Sequence, residues 1–116
     1  MIICLTGKNL SIYKMPIEVK ISKSTNKNKK LMAQFYEPKT SRPFKTTHFG
    51  AAGYTDYIKS KDKERRKRYL DRHRKENWRD YKSAGSLSRY ILWGPTTNLS
   101  NNIKLYANRF NLKLKK

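Results

Sequence analysis

Six basic residues recur at a spacing that suits a polyanion. Lys61, Arg65, Arg68, Arg72, Lys75 and Arg79 are separated by four, three, four, three and four positions. On a helix turning about 100° per residue, all six lie within about 40° of one line, over about 27 Å at ~1.5 Å rise per residue. A row of that length matches several successive phosphates of a nucleic acid. The spacing therefore predicts a basic helix across 61–79. Glu64 and Asp71 are placed to pair with Arg68 and Lys75 one turn on, which would solvate the face instead. The balance of charge argues otherwise, since eleven bases stand against four acids between Lys59 and Arg79. Tyr69, Leu70 and His73 form the opposite, docking strip.

Aromatic residues are interleaved with these charges. Tyr54, Tyr57, Tyr69, Trp78, Tyr81, Tyr90 and Trp93 fall in the basic half, and aromatic faces can stack on bases or receive guanidinium groups. Most of them are expected in the core, because the chain has few other large apolar side chains. Trp78, beside Arg79, and Lys82, beside Tyr81, complete the candidate nucleic-acid-binding set of Lys61, Arg65, Arg68, Arg72, Lys75, Trp78, Arg79 and Lys82.

Other chemistry has little support. The run from Lys45 to Tyr54 contains Gly50 and Gly53 but lacks the Gly-x-x-x-x-Gly-Lys-Ser/Thr spacing of a nucleotide-hydrolysing loop. Its glycines suit a tight strand-to-helix turn, and amides near Gly53 and Thr55 could receive one phosphate at a helix N-terminus. His48 and His73 are the only histidines and Cys4 the only cysteine, too few for a zinc site of about four ligands. No nucleophile is spaced to either histidine, and His48 reads as a core or hairpin residue. A nuclease centre drawn from His48, Asp56 and Glu64 is the one catalytic alternative. The expectation is no catalytic residue, no cofactor, no metal and no small-molecule substrate.

Bulk properties agree with a polyanion partner. The chain has 116 residues, with 28 Lys and Arg against 8 acids, a formal charge of +20, a pI near 10.3 and 36% hydrophobic residues. Such a chain repels itself when compact and is drawn to dense negative charge. No apolar run approaches the ~18 residues of a membrane span, so no membrane insertion is expected. With one cysteine there is no internal disulfide, and the chain reads as intracellular.

The elements that must carry the stripe follow from patterning. Residues 17–21 alternate as a half-buried strand, residues 31–36 form a second with Leu31, Ala33 and Phe35 on one face, and residues 44–49 a third. A three-stranded antiparallel sheet is expected in the N-terminal half, followed by about three helices, an α+β fold. Beyond the basic helix, Ser83 starts and Gly94 stops a helix with Leu87, Tyr90 and Ile91 on one face. A last helix from Asn98 or Ser100 carries the stripe Leu99, Ile103, Tyr106 and Phe110. Residues 15–112 read as a single basic domain and 113–116 as a basic tail. Residues 1–14 read as a disordered arm or an artefact of start-codon choice.

Between positions 45 and 94 the sequence resembles a family of small basic proteins encoded by nucleocytoplasmic large DNA viruses. The resemblance lies in Lys45-Thr46-Thr47-His48-Phe49-Gly50-Ala51, Gly53-Tyr54-Thr55-Asp56-Tyr57, Asn77-Trp78 and Gly85-Ser86-Leu87-Ser88-Arg89-Tyr90-Ile91-Leu92-Trp93-Gly94. It extends over about two thirds of the chain, Lys29 to Phe110, and implies relatives that start near Met15. The family has no assigned activity, so the resemblance implies a viral setting, in the virion or the viral factory, and assigns no residue a role. Two functions suit that setting. One is non-enzymatic binding of nucleic acid, DNA above all, in compaction or packaging. The other is a minor capsid or core protein packed against acidic viral structural proteins.

Overall fold

The protein, described by a computed structural model over residues 16–115, is α+β. The arm expected at residues 1–14 lies outside the described residues. Strand β1 (Glu18–Lys23) pairs antiparallel with β2 (Lys29–Tyr36), and β2 pairs antiparallel with β3 (Pro43–Ala51). The three expected strands are present, each a little longer than its patterning suggested.

The turns follow from short polar side chains. Between β1 and β2, the Ser24 hydroxyl accepts from the Asn26 amide and the Asn26 side chain accepts from the Asn28 amide, each at 2.9 Å. Such side chains offer the backbone a turn in place of a ladder. Between β2 and β3, Ser41 takes a left-handed conformation and its amide donates to the Glu37 carbonyl.

The sheet has a fourth strand that the sequence reading missed. Lys113–Leu114 forms β4, parallel to β1, giving the order β3-β2-β1-β4 and a mixed sheet in place of a purely antiparallel one. The amides of Lys113 and Lys115 donate to the carbonyls of Ile17 and Val19. Residues read as a tail thus close one sheet edge, which would otherwise present unpaired backbone groups.

One sheet face carries the core. Val19, Ala33, Phe35 and Phe49 are fully buried on it, against Leu87, Ile91, Leu92, Trp93 and Tyr106 from the helical half. That half comprises α1 (Tyr57–Ser60), α2 (Lys63–His73), α3 (Ala84–Leu87) and α4 (Leu99–Arg109). Ser83 caps α3 as expected, accepting from the Ser86 amide. The helix expected up to Gly94 widens instead into a π-helical turn at Ser88–Leu92, closed by the Trp93 amide donating to the Ser88 carbonyl at 2.9 Å. Gly94 is required where it stands, because a Cβ there would sit 2.3 Å from the Tyr90 carbonyl oxygen.

Asn102 locks this turn to α4. Its side-chain amide donates to the carbonyls of Ile91 and Thr96, and its oxygen accepts from the Thr96 amide and hydroxyl. The residue is fully buried with every polar group engaged. Asn102→Leu orphans the Thr96 amide and two carbonyls, at ~1–3 kcal/mol for each buried group left unsatisfied. A loss of about 3 kcal/mol or more in urea unfolding is the expected result.

The basic helix is shorter than its spacing predicts, eleven residues rather than nineteen. Asp62 starts it by accepting from the amides of Glu64 and Arg65, while Lys61 sits in a left-handed conformation (φ 55°) that ends α1. Beyond His73, Asn77 and Asp80 accept from the amides two residues ahead and hold the chain in turns. Side chains of that kind compete with helical bonding, and propensity summed over Lys, Arg and Glu does not register them.

Candidate nucleic-acid interface

The shortened helix divides the predicted stripe. Arg65, Arg68 and Arg72 remain on one face of α2, all three exposed. Lys61 belongs to the cap of α1, and Lys75 and Arg79 lie beyond the helix, both exposed. The pairs expected from Glu64 to Arg68 and from Asp71 to Lys75 do not form. The ion pairs among the described residues are Lys30–Asp56, His73–Glu76, Lys82–Asp80 and Lys115–Glu18.

The three retained arginines line a groove of about 640 Å³. The opposite wall is the start of β2, with Lys29 and Lys30, and the end of β3, with Gly50 and Ala51. Phe49, Leu92 and Trp93 are its apolar lining, and Tyr54, 73% exposed, is part of its wall. Gly50 carries a φ of +81°, and a Cβ there would meet the Leu92 side chain at 2.6 Å, so β3 approaches the π-helical turn as only glycine allows.

Packing holds α2 against this lining. The Tyr69 ring stacks on Trp93 with centroids 4.3 Å apart and 5° between planes, and His73 leans on Tyr69 at 4.4 Å. Burial, with Glu76 adding to it, raises the Tyr69 phenol to about 12, so it remains neutral. Of the expected docking strip, Tyr69 therefore docks, on Trp93, while His73 packs on Tyr69 of its own helix and bonds Glu76. Leu70 is only half-buried and lies outside the core cluster.

The electrostatics of the groove are one-sided. Its two acids are both engaged, Asp56 by Lys30 at 2.6 Å and Glu76 by His73. Arg65, Arg68, Arg72 and Lys29 have no carboxylate partner among the described residues. Asp56 also accepts from the Lys59 amide and so fills the N-terminus of α1. That corrects the expectation of a phosphate at the amides near Gly53 and Thr55, because a buried carboxylate already occupies the position.

Trp78 and Lys82 lie outside the groove lining. The Trp78 ring carries the Arg89 guanidinium at 4.9 Å, and Lys82 lies 4.5 Å over the Tyr81 ring and 3.5 Å from Asp80. Sequence reasoning missed Lys29 and Lys30, which lie outside the strand expected at 31–36. Their alignment with α2 depends on the register Lys29↔Ala51, which no local pattern encodes.

His48, on β3, approaches one nucleophile type, its Nδ1 lying 2.7 Å from the hydroxyl of Ser24, just past the end of β1. Ser24 is part of a turn, no carboxylate bonds the ring's other nitrogen among the described residues, and neither residue lines the groove. His48, Asp56 and Glu64 do not assemble into a centre: Asp56 pairs with Lys30, and no group of three or more potential metal ligands occurs among the described residues. No helix among those residues is long and apolar enough to cross a membrane.

The site is thus a cationic groove between the open end of a β-hairpin and a short arginine helix. Over residues 19–73, which span β1 to the end of α2, the chain is similar to a family of unknown function (DUF5754). No curated protein and no solved structure matches it.

Proposed function

We propose that this protein binds nucleic acid, DNA above all, through phosphate contacts in the groove between α2 and the β2–β3 hairpin, without catalysing a reaction on it. The observation that carries the reading is the arrangement of Arg65, Arg68 and Arg72 on one wall, facing Lys29 and Lys30 on the other, with the only acids already paired. Guanidinium groups make bidentate bonds to phosphate oxygens. A concave cationic site focuses its field, so it attracts a polyanion more strongly than a flat face of equal charge. The setting proposed is a large DNA virus, on the motifs from Lys45 to Gly94, with the genome compacted or packaged by a chain of charge +20.

Salt titration tests this. Four cations without carboxylate partners imply a log–log slope of affinity against salt near −4, from ~0.9 per phosphate contact. Random and defined duplex sequences are expected to bind within about tenfold of one another, because phosphate contacts carry no sequence information. A flat salt response would overturn the proposal.

A further inference from the structure

A second cavity, of about 320 Å³, shares no lining residue with the groove. Three arginines line it, Arg66 from α2, Arg89 from the π-helical turn and Arg109 from the end of α4, together with Tyr90, Leu105 and Pro95. No carboxylate lines it, and none of the three forms an ion pair among the described residues.

The guanidinium groups are held by other means. Arg66 donates its Nε to the carbonyls of Trp93 and Gly94 at 3.1 and 2.9 Å, and its ring neighbour is Tyr57 at 5.6 Å. Arg89 lies 4.9 Å from the centroids of both Trp78 and Tyr90, and Arg109 lies 4.6 Å from the same Tyr90 ring. Arg89 Nε is buried and bonds nothing among the described residues. Burial, then repulsion from Arg66 and Arg109, lowers the Arg89 pKa, while the nearby phenols act in the opposite sense. Three like charges are therefore gathered and oriented by backbone carbonyls and aromatic faces, with no acid of the described chain to offset them.

We propose that this arginine pocket is a distinct binding site for a phosphate dianion, free or as a terminal monoester. A monoester carries about −1.5 to −2 charge near neutral pH and three acceptor oxygens, against a single charge on each phosphodiester of a strand. That compact charge suits a small cavity lined by three guanidinium groups. The group reaches the site either as free inorganic phosphate or as the terminal monoester of a nucleic acid. The site stands independently of the groove, since the two share no residue.

The test is calorimetric titration of inorganic phosphate into the full chain at constant ionic strength in chloride. Arg109 is exposed and its guanidinium packs on the Tyr90 ring, so Arg109→Gln is expected to keep the melting transition and weaken phosphate at least tenfold. Arg89→Gln, checked for a retained melting transition, should weaken it equally. A variant with Arg65, Arg68 and Arg72 all changed to Gln should bind phosphate within about twofold of the parent. In that triple variant, a 5′-phosphorylated oligonucleotide binding more tightly than its 5′-hydroxyl twin, with the difference lost on adding Arg109→Gln, assigns the site to a strand end. Equal binding of the two strands, with phosphate still dependent on Arg109, assigns it to free phosphate. The proposal is overturned if the parent chain shows no phosphate binding at millimolar concentration, if Arg109→Gln and Arg89→Gln leave it unchanged, or if the groove variant abolishes it.

Discussion

Changing Arg65, Arg68 and Arg72 together to Gln lowers the affinity for duplex DNA by about two orders of magnitude or more at low salt, and shrinks the salt slope by up to about three units. The three side chains are exposed and make no ion pair among the described residues, so their removal deprives the fold of nothing it uses. Gln is nearly as good a helix former as Arg, and α2 keeps its Asp62 cap and the Tyr69–Trp93 stack. Filter binding across a salt series, alongside a thermal melt, separates the two effects. An unchanged melt with unchanged DNA affinity would remove the groove from the account. If the variant still bound DNA but no longer joined particles, the positive charge would serve acidic protein surfaces instead.

Asp56→Ala should produce the largest stability loss of any single change in the groove. The carboxylate is 4% exposed, caps α1, and pairs at 2.6 Å with a Lys30 ammonium that is only 15% exposed. Removing it leaves a nearly buried cation without a partner, at about 3–5 kcal/mol for a broken buried pair. In a domain of this size that corresponds to a fall in melting temperature of at least about 10 °C. Asp56→Asn preserves an acceptor for the Lys59 amide while discarding the charge, so it isolates the ion pair from the cap. A loss below about 1 kcal/mol in both variants would show that Lys30 finds water or another partner instead.

The sheet was largely legible in the sequence because its signal is local. Alternation in Ile17 to Ile21 and in Leu31 to Phe35 reports one buried face directly, and Val19, Ala33 and Phe35 are indeed inside. Strand β4 was not legible: two residues, Lys113 and Leu114, carry no period, and only the β1 edge beside them makes them a strand. The last helix was legible from its stripe, and Leu99, Ile103, Tyr106 and Phe110 all pack into or against the core. The π-helical turn was not, because Ser88–Leu92 has the composition of an ordinary helix and its wider turn goes with long-range contacts, Asn102 bonding the Ile91 carbonyl and Gly94 packing close to Tyr90.

The candidate site shows the same division. Arg65, Arg68 and Arg72 could be read from spacing alone, because three and four residues define a helical face. The ends of that face could not, since Lys61 takes a left-handed turn, and Asn77 and Asp80 draw the backbone out of the helix. The facing wall was invisible for a different reason. Lys29 and Lys30 meet the arginines only after β2 has paired with β3 and the helical half has packed on the sheet.

The most direct test of the central claim follows the backbone amide and arginine Nε–H signals of the full chain by NMR while a short duplex of random sequence is added. The groove account predicts that the Nε–H signals of Arg65, Arg68 and Arg72 shift together with the amides of Lys29, Lys30 and Gly50, and return as salt is raised. Shifts confined to residues outside the groove, such as Lys75, Arg79 and Lys82, with Arg65, Arg68 and Arg72 unmoved, would contradict it.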